Sequence, residues 1–167
     1  MSHVLPDVLR DGLKVVFCGT AAGDVSAQVG AYYAGPGNRF WETLFAIGLT
    51  PVRLEAVQFR EVVRYDIGLT DLAKTTSGAD KILKSADFSA DDLREKMLNY
   101  QPRWLAFTSK RAAKEYFGVK TVNYGEQSQK IGETRVFVLT SPSGAARGYW
   151  DVSVWQALAE QVKRSVS

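Results

Sequence analysis

Short apolar runs alternate with amphipathic helical segments along this chain, and the alternation strongly limits the folds open to it. Four runs have the length and apolar content of buried strands, at residues 13–18, 62–69, 104–108 and 135–140. Four segments carry apolar residues at helical spacing, at residues 39–47, 90–100, 110–117 and 152–164. Strands that alternate with helices favour a parallel sheet with helices on both faces, so we expect an α/β fold.

Composition and length favour one globular domain spanning residues 1–167. Hydrophobic residues make up 46% of the chain and charged residues 23%, close to the averages of folded proteins. We expect residues 1–12, which are polar and lack the apolar core of a signal peptide, to be a flexible tail. No apolar run reaches the ~18 residues of a membrane-spanning helix, so we expect a cytoplasmic protein, associated with the nucleoid if bacterial.

The chain has few residues with which to hold a metal or form a disulfide. It contains a single cysteine, Cys18, and a single histidine, His3. One cysteine excludes an internal disulfide and a cysteine-based zinc site. One histidine in a terminal tail argues against a histidine-based triad or metal cluster. We therefore expect neither a metal nor a cofactor.

Positive charge is concentrated in the C-terminal part of the chain. Residues 1–100 hold 11 Lys or Arg and 13 Asp or Glu, whereas residues 101–167 hold 10 and 5. A basic face could meet the phosphates of a nucleic acid. On charge alone, however, a solvated surface without any partner is the simpler interpretation.

Two stretches follow predicted strands, at the strand ends where folds of this class bind ligands. Residues 19–38 hold five glycines and one proline and are too long for a passive connection. They form neither a Walker loop nor a dinucleotide fingerprint, and the small residues at their start are more simply a structural turn. Residues 141–147 combine hydroxyls, a glycine and an arginine, which suits insertion into a DNA groove. A surface turn is an equal alternative for that second stretch.

The motifs in these stretches follow one another in a characteristic order. Residues 19–41 contain Gly-Thr-Ala-Ala-Gly, then Tyr33, then Pro-Gly-Asn-Arg-Phe-Trp; Gly-Leu-Thr-Asp-Leu follows at 68–72, Tyr-Gln-Pro at 100–102, Ile-Gly at 131–132 and Ser-Pro-Ser-Gly-Ala-Ala-Arg at 141–147. This order resembles the uracil-DNA glycosylase superfamily, and within it the mismatch-specific uracil and thymine-DNA glycosylases. Their first motif runs roughly Gly-Ile-Asn-Pro-Gly, an aromatic residue and Pro-x-Asn-Arg-Phe-Trp, and their second resembles Asn-Pro-Ser-Gly-Leu-Ser-Arg. The resemblance covers residues 14–162.

The resemblance implies a three-layer α/β/α fold around a short, mostly parallel four-stranded sheet. It also implies a DNA repair enzyme that flips uracil, or a related deaminated base, out of DNA and hydrolyses its N-glycosidic bond, leaving an abasic site. No lysine matches a position from which it could attack the sugar, so we expect monofunctional hydrolysis rather than strand cleavage. The implied partner is DNA containing uracil or a related base, and we expect the protein to act as a monomer.

The site residues carried over from the resemblance fall into two groups. Tyr33 would stack on the flipped base. The backbone of Gly19, Thr20 and Ala21 would contact the edge of that base, and Ser141 would line the same pocket. In the second motif, the resemblance assigns a phosphate contact to Ser143 and the wedge that fills the vacated stack to Gly144, Ala145, Ala146 and Arg147.

Ala21 is the main departure from the family pattern. The family places an asparagine there, or an aspartate in sister families, to position the attacking water, and a methyl group cannot do so. Asn38 and Asp24 are the candidates to replace it, although Asn38 could equally be a helix N-cap and Asp24 is more simply a solvated loop charge. Ser141 also stands where the family often has an asparagine. The alternative function is therefore a damage-binding module that recognises uracil or abasic DNA with little turnover.

Overall fold

Four parallel strands and one antiparallel edge strand form the sheet in the described part of this protein. The computed structural model describes residues 4–77 and 88–164. Its strands are β1 (Val15–Ala22), β2 (Ile67–Ser77), β3 (Trp104–Phe107), β4 (Gly125–Ile131) and β5 (Thr134–Val138). They lie in the order β2-β1-β3-β5-β4, and each neighbouring pair is parallel except β4 with β5.

Helices cover both faces of this sheet. They are α1 (Asp24–Val29), α2 (Phe40–Ala46), α3 (Ala90–Tyr100), α4 (Lys110–Phe117) and α5 (Val152–Arg164), with 3-10 segments at Ala56–Tyr65 and Gly144–Tyr149. Buried residues of α2 and α5 cluster with Phe17 on one face, and those of α3 and α4 cluster with Val16 on the other. The arrangement is therefore a three-layer α/β/α fold. None of the described helices is long and apolar enough to cross a bilayer.

The sheet differs from the sequence prediction in strand number and direction. The sequence predicts four strands in a mostly parallel sheet, and that prediction is wrong because β4 is a fifth strand and makes the sheet mixed. Residues 125–131 are largely polar and of these only Ile131 is buried, so no apolar period marks the strand. Strand β4 forms instead because it pairs with β5. The two strands are joined by a turn at Gly132, where φ is +59°.

Local signals located most helices but not the strand ends. The structure has α3, α4 and α5 at residues 90–100, 110–117 and 152–164, as predicted, and α2 ends within one residue of its predicted limits. β1 does not end at residue 18 but continues to Ala22, so residues 19–22 at the start of the first motif form a strand paired with β2. Residues 62–65, predicted as strand, belong to the 3-10 segment that precedes β2.

Residues 4–12 pack against the edge of the sheet, contrary to the expected flexible tail. Leu5 and Val8 are buried, and Val8 exchanges two backbone hydrogen bonds of 2.9 Å with Leu69 of β2. Gly68 permits this approach, because a Cβ there would lie 2.7 Å from the Val8 carbonyl oxygen. The prediction is therefore wrong for this segment, while residues 1–3 lie outside the described part of the chain.

Aromatic side chains form much of the core beside β1. The Phe17 ring meets Phe40 edge-on with centroids 5.2 Å apart and stacks on Trp155 at 5.8 Å. This contact packs α2 and α5 against the same strand. Trp104 and Phe107 are fully buried in β3, which confirms the prediction of a buried strand at residues 104–108.

Candidate active site at the strand ends

A cavity of about 780 Å³, here called the strand-end cavity, opens where β1 and β3 end and borders β2. Its volume falls within the ~300–1,000 Å³ that is usual for ligand sites. Both motif stretches contribute to it, at the strand ends where folds of this class bind ligands. The predicted site residues that line it are Gly19, Thr20, Ala21, Asp24, Tyr33, Asn38, Ser141, Ser143, Gly144, Ala145 and Ala146.

The two motif stretches hold each other in place beside the cavity. The Arg39 backbone N–H donates a hydrogen bond of 2.9 Å to the Pro142 carbonyl oxygen. Gly144 lies so close to the first stretch that a Cβ there would sit 2.8 Å from the Pro36 carbonyl oxygen and 3.3 Å from the Gly37 Cα. Only glycine fits this contact without a shift of the backbone, so Gly144 fixes the second motif against the first.

Three oxygen-bearing side chains, Asp71, Thr108 and Tyr33, gather around Gly19 on the cavity wall. A Cβ at Gly19 would lie 2.8 Å from Asp71 Oδ1 and 3.4 Å from both Thr108 Oγ1 and the Tyr33 hydroxyl. Gly19 is the β1 residue paired with Asp71 of β2, and its backbone N–H donates a hydrogen bond to the Asp71 carboxylate. Tyr33 and Thr108 share a hydrogen bond of 3.2 Å. Any side chain at residue 19 would displace this group.

Asp71 is a buried carboxyl group whose acidity is strongly altered. Only 6% of the residue is exposed. Burial raises the pKa of Asp71 from its ordinary 3.8 to about 7, against the opposing attraction of Lys74 and the Gly19 hydrogen bond. Near neutral pH the group is therefore divided between acid and carboxylate and can accept or release a proton. A titratable group of this kind in a ligand cavity marks a candidate catalytic residue.

Tyr33 is held rigidly at the edge of the cavity. Its φ of +54° places its backbone in the left-handed region. Its ring stacks on buried Phe40 with centroids 3.9 Å apart and planes 17° from parallel, so Phe40 backs one face of the ring. Burial raises the pKa of the Tyr33 phenol, which therefore stays neutral.

Comparison with known proteins agrees with this fold. The family model of the uracil DNA glycosylase superfamily matches residues 6–159, most of the chain. This chain belongs to that superfamily. Its fold is also that of a candidate uracil DNA glycosylase from Methanosarcina acetivorans, solved by solution NMR: the two are 20% identical over 95% of this chain and 96% of the other, with a TM-score of 0.63. Membership of the uracil DNA glycosylase superfamily implies DNA repair glycosylase activity, with DNA as the partner.

In this superfamily member, the two residues predicted to position the attacking water differ in their surroundings. Asn38 and Asp24 both line the cavity beside Ala21. The Asn38 Oδ1 accepts a hydrogen bond of 2.9 Å from the N–H of Phe40, the first residue of α2, whereas the N-cap position itself is Arg39, which makes no side-chain cap bond. Asp24 is exposed as the first residue of α1. Its carboxylate is therefore a solvated charge at the cavity edge.

The second motif of this glycosylase-superfamily chain is a tight segment whose hydroxyl oxygens accept bonds from its own backbone. Ser141 Oγ accepts from the Ser143 N–H at 3.3 Å, and Ser143 Oγ accepts from the Ala145 N–H at 3.2 Å. Each hydroxyl keeps its own proton to donate elsewhere. Ala146 is half-buried, and the Arg147 side chain lies outside the described part of the structure.

Asp71 is the functional candidate that sequence reasoning misses. It lies in the Gly-Leu-Thr-Asp-Leu motif at 68–72, which supports the superfamily resemblance but carries no role of its own. The available signal is an acid within an apolar strand, because a buried charge is costly unless it is paired or functional. Within the described ranges, no group of three or more His, Cys, Asp or Glu side chains could hold a metal ion.

Proposed function

We propose that this superfamily member is a monofunctional uracil-DNA glycosylase of the mismatch-specific type. It flips uracil, or a related deaminated base, into the strand-end cavity and hydrolyses the N-glycosidic bond, leaving an abasic site. The observation that carries the proposal is the buried carboxyl group of Asp71 in a cavity built from both motifs. The proposal includes action as a cytoplasmic monomer in base excision repair.

Recognition of the base falls to Tyr33 and the end of β1. The Tyr33 ring, backed by Phe40, offers a fixed platform on which a flat base can stack. The pairing of β1 with β3 ends at Cys18, and the chain from Gly19 to Ala21 borders the cavity instead. In the proposal, backbone groups along this stretch meet the edge of the base.

Asp71 takes the proton of the attacking water in this proposal. The water oxygen bonds to C1′ of the sugar as the bond from C1′ to the base nitrogen breaks. The electron pair of that bond leaves with the base, and one water proton passes to the Asp71 carboxylate. Hydrogen-bond donors stabilise the charge developing on the base, which is commonly the largest catalytic contribution. A pKa of about 7 suits Asp71 to this role, because a general base works best near its own pKa.

Other cavity residues have supporting roles in the proposal. Asn38 orients the attacking water, since its amide borders the cavity even while its Oδ1 accepts the first N–H of α2. Asp24 is a weaker candidate for the base because its carboxylate is exposed to solvent. Ser143 contacts a phosphate beside the flipped nucleotide, Ser141 lines the base pocket, and residues 144–147 enter the DNA as the wedge.

Single-turnover cleavage of a labelled oligonucleotide with one uracil tests the proposal. The substrates are a single strand and duplexes with uracil opposite guanine or adenine, and alkali converts abasic sites into strand breaks. We expect alkali-dependent breaks at the uracil, and about 10²–10⁴-fold slower cleavage by Asp71→Asn. Asp91→Asn is the matched control, because Asp91 is an exposed acid of α3 outside the cavity lining.

Each contrary result has a distinct meaning. Breaks that form without alkali would show strand-cleaving chemistry in place of simple hydrolysis. Retained affinity for uracil DNA without any cleavage would make the protein a damage-binding module and refute the enzymatic proposal. A loss in Asp24→Asn as large as that in Asp71→Asn would divide the proton transfer between the two carboxylates.

A further inference from the structure

An ion cluster forms where residues 4–12 meet β2 and α3. The Asp7 carboxylate lies 3.0 Å from the ammonium group of Lys74 in β2 and 2.6 Å from that of Lys96 in α3. It also accepts a hydrogen bond of 2.7 Å from the Thr70 hydroxyl. Asp7, Lys74 and Lys96 are here called the Asp7 cluster. Their formal charges are one negative and two positive, so the cluster carries one net positive charge.

Lys74 brings this charge to the wall of the strand-end cavity. Its ammonium group donates a hydrogen bond of 2.9 Å to the Tyr32 hydroxyl and lies 5.3 Å from the centre of the Tyr32 ring. Tyr32 is buried and lines the cavity. The Lys74 side chain is itself only 9% exposed. Water and salt therefore screen its charge weakly, and the charge acts on groups inside the cavity.

Asp71 is the buried acid that this charge reaches. It precedes Lys74 by three residues in β2, and a strand rises ~3.3 Å per residue, so their backbones lie about 10 Å apart. Burial raises the pKa of Asp71 to about 7, and the charge of Lys74 is the largest influence in the opposite direction. An ionised Asp71 would also balance the net positive charge of the Asp7 cluster.

The other titratable groups that act on Asp71 come from several elements around it. Within the Asp7 cluster, both lysines lower the pKa of Asp71, whereas Asp7 raises it. A thiol and two phenols also face Asp71, but burial raises the pKa of each, so all three stay neutral near neutral pH. These neutral groups are Cys18 on β1 and Tyr32 and Tyr33 between α1 and α2.

We propose that Lys74 is a positioning residue for the proposed reaction: its buried ammonium group, held by Asp7 and Tyr32, favours the charged form of Asp71. This inference rests on the proposed function, in which that carboxylate accepts a proton from the attacking water. Lys74 lies outside the cavity lining, so it acts through Asp71. Asp7 moderates the effect because its negative charge opposes that of Lys74. The Asp7 cluster therefore sets the pH range in which the enzyme is active.

The pH dependence of single-turnover uracil cleavage tests the inference, because removing opposite charges should move it in opposite directions. Two unit charges about 10 Å apart, at an effective dielectric constant of ~20, change the pKa of each other by about one pH unit. Lys74→Met should therefore move the midpoint of the pH–rate profile up by about one pH unit, and Asp7→Asn should move it down. Lys74→Arg keeps the charge and should leave the midpoint near that of wild type.

The loss of rate in Lys74→Met should itself depend on pH. At about pH 6 this variant should be about tenfold slower than wild type, whereas at about pH 9 the two rates should agree within about twofold. Lys14→Met is the matched control, because Lys14 pairs with Asp66 before the start of β1, away from the cavity lining. It should change neither the midpoint nor the rate.

A midpoint that stays in place in Lys74→Met, or that moves the same way in Lys74→Met and Asp7→Asn, would overturn the inference. A loss of rate that is equal at every pH would also overturn it, because it would show a purely structural role. Urea unfolding checks that each variant is folded over the pH range used.

Carbon-13 NMR titration of the Asp71 carboxyl group, assigned with Asp71→Asn, follows the same ionisation without catalysis. An Asp71 titration that is unchanged in Lys74→Met would overturn the inference. A wild-type protein that cleaves no uracil substrate at any pH would instead refute the proposed function, and a shifted Asp71 titration would then still support the electrostatic link to Lys74.

Discussion

Replacing Asp71 by asparagine removes the buried charge of the strand-end cavity while it keeps the shape of the side chain and an acceptor for the Gly19 N–H. In the folded protein, burial raises the pKa of Asp71 from 3.8 to about 7. Each pK unit corresponds to about 1.4 kcal/mol, so keeping the carboxylate ionised in the folded state costs about 4 kcal/mol above about pH 7. Asp71→Asn avoids this cost and should be more stable by roughly that amount.

The gain in stability should depend on pH in one direction. Between about pH 4 and about pH 7 the folded protein keeps a proton on Asp71 that the unfolded chain has lost, so the stability of the wild type relative to the variant falls as pH rises. Below about pH 4 the carboxyl group is protonated in both states and the difference disappears, whereas above about pH 7 it reaches a plateau. Urea unfolding of both proteins across this range measures it.

Activity should change in the opposite sense to stability. The wild-type single-turnover rate should rise with pH through an apparent pKa of about 7, because only the Asp71 carboxylate can accept the proton. Asp71→Asn should be about 10²–10⁴-fold slower, while the control Asp91→Asn should match wild type in rate and in its pH dependence. A stability difference that does not vary with pH would refute the argument from buried charge. Full activity in Asp71→Asn would remove Asp71 from the mechanism.

Two further substitutions test the surroundings of the cavity. Asn38→Ala should slow single-turnover cleavage, because it removes an amide that lines the cavity. It should also lower the free energy of unfolding by about 1 kcal/mol, because the Asn38 Oδ1 accepts the first N–H of α2. Full activity in the folded variant would exclude Asn38 as the residue that orients water. Asp7→Asn should lower the free energy of unfolding by about 3 kcal/mol at neutral pH, because Lys74, whose side chain is 9% exposed, loses an acid 3.0 Å away. Burial acts to raise the pKa of Asp7, but Lys74 and Lys96 bring it below its usual value. The stability that the Asp7 carboxylate contributes is therefore present above about pH 4 and is lost as the pH falls further. Urea unfolding measures the difference between wild type and Asp7→Asn. A difference as large in strong acid as at neutral pH would contradict the ion-pair explanation.

Local signals were sufficient for several parts of this protein. The amphipathic period and the capping serine Ser89 locate α3, because helix hydrogen bonds join residues only four apart along the chain. The same kind of period locates α4 and α5. The order of the two motifs identifies the superfamily. The alternation of strands and helices predicts that both motifs lie at the ends of the parallel strands. That is where the structure brings them together.

Tertiary structure decided the rest, because strand pairing and burial join residues that are distant in sequence. Residues 125–131 carry no apolar period and become a strand through pairing with β5. Residues 4–12 resemble a polar tail, yet they pack through buried Leu5 and Val8 and the bonds of Val8 to Leu69, an approach that Gly68 permits. Asp71 is one acid in a short motif until β2 pairs with β1 and sets it against Gly19. Its raised pKa comes from that enclosure, which no local pattern of residues contains.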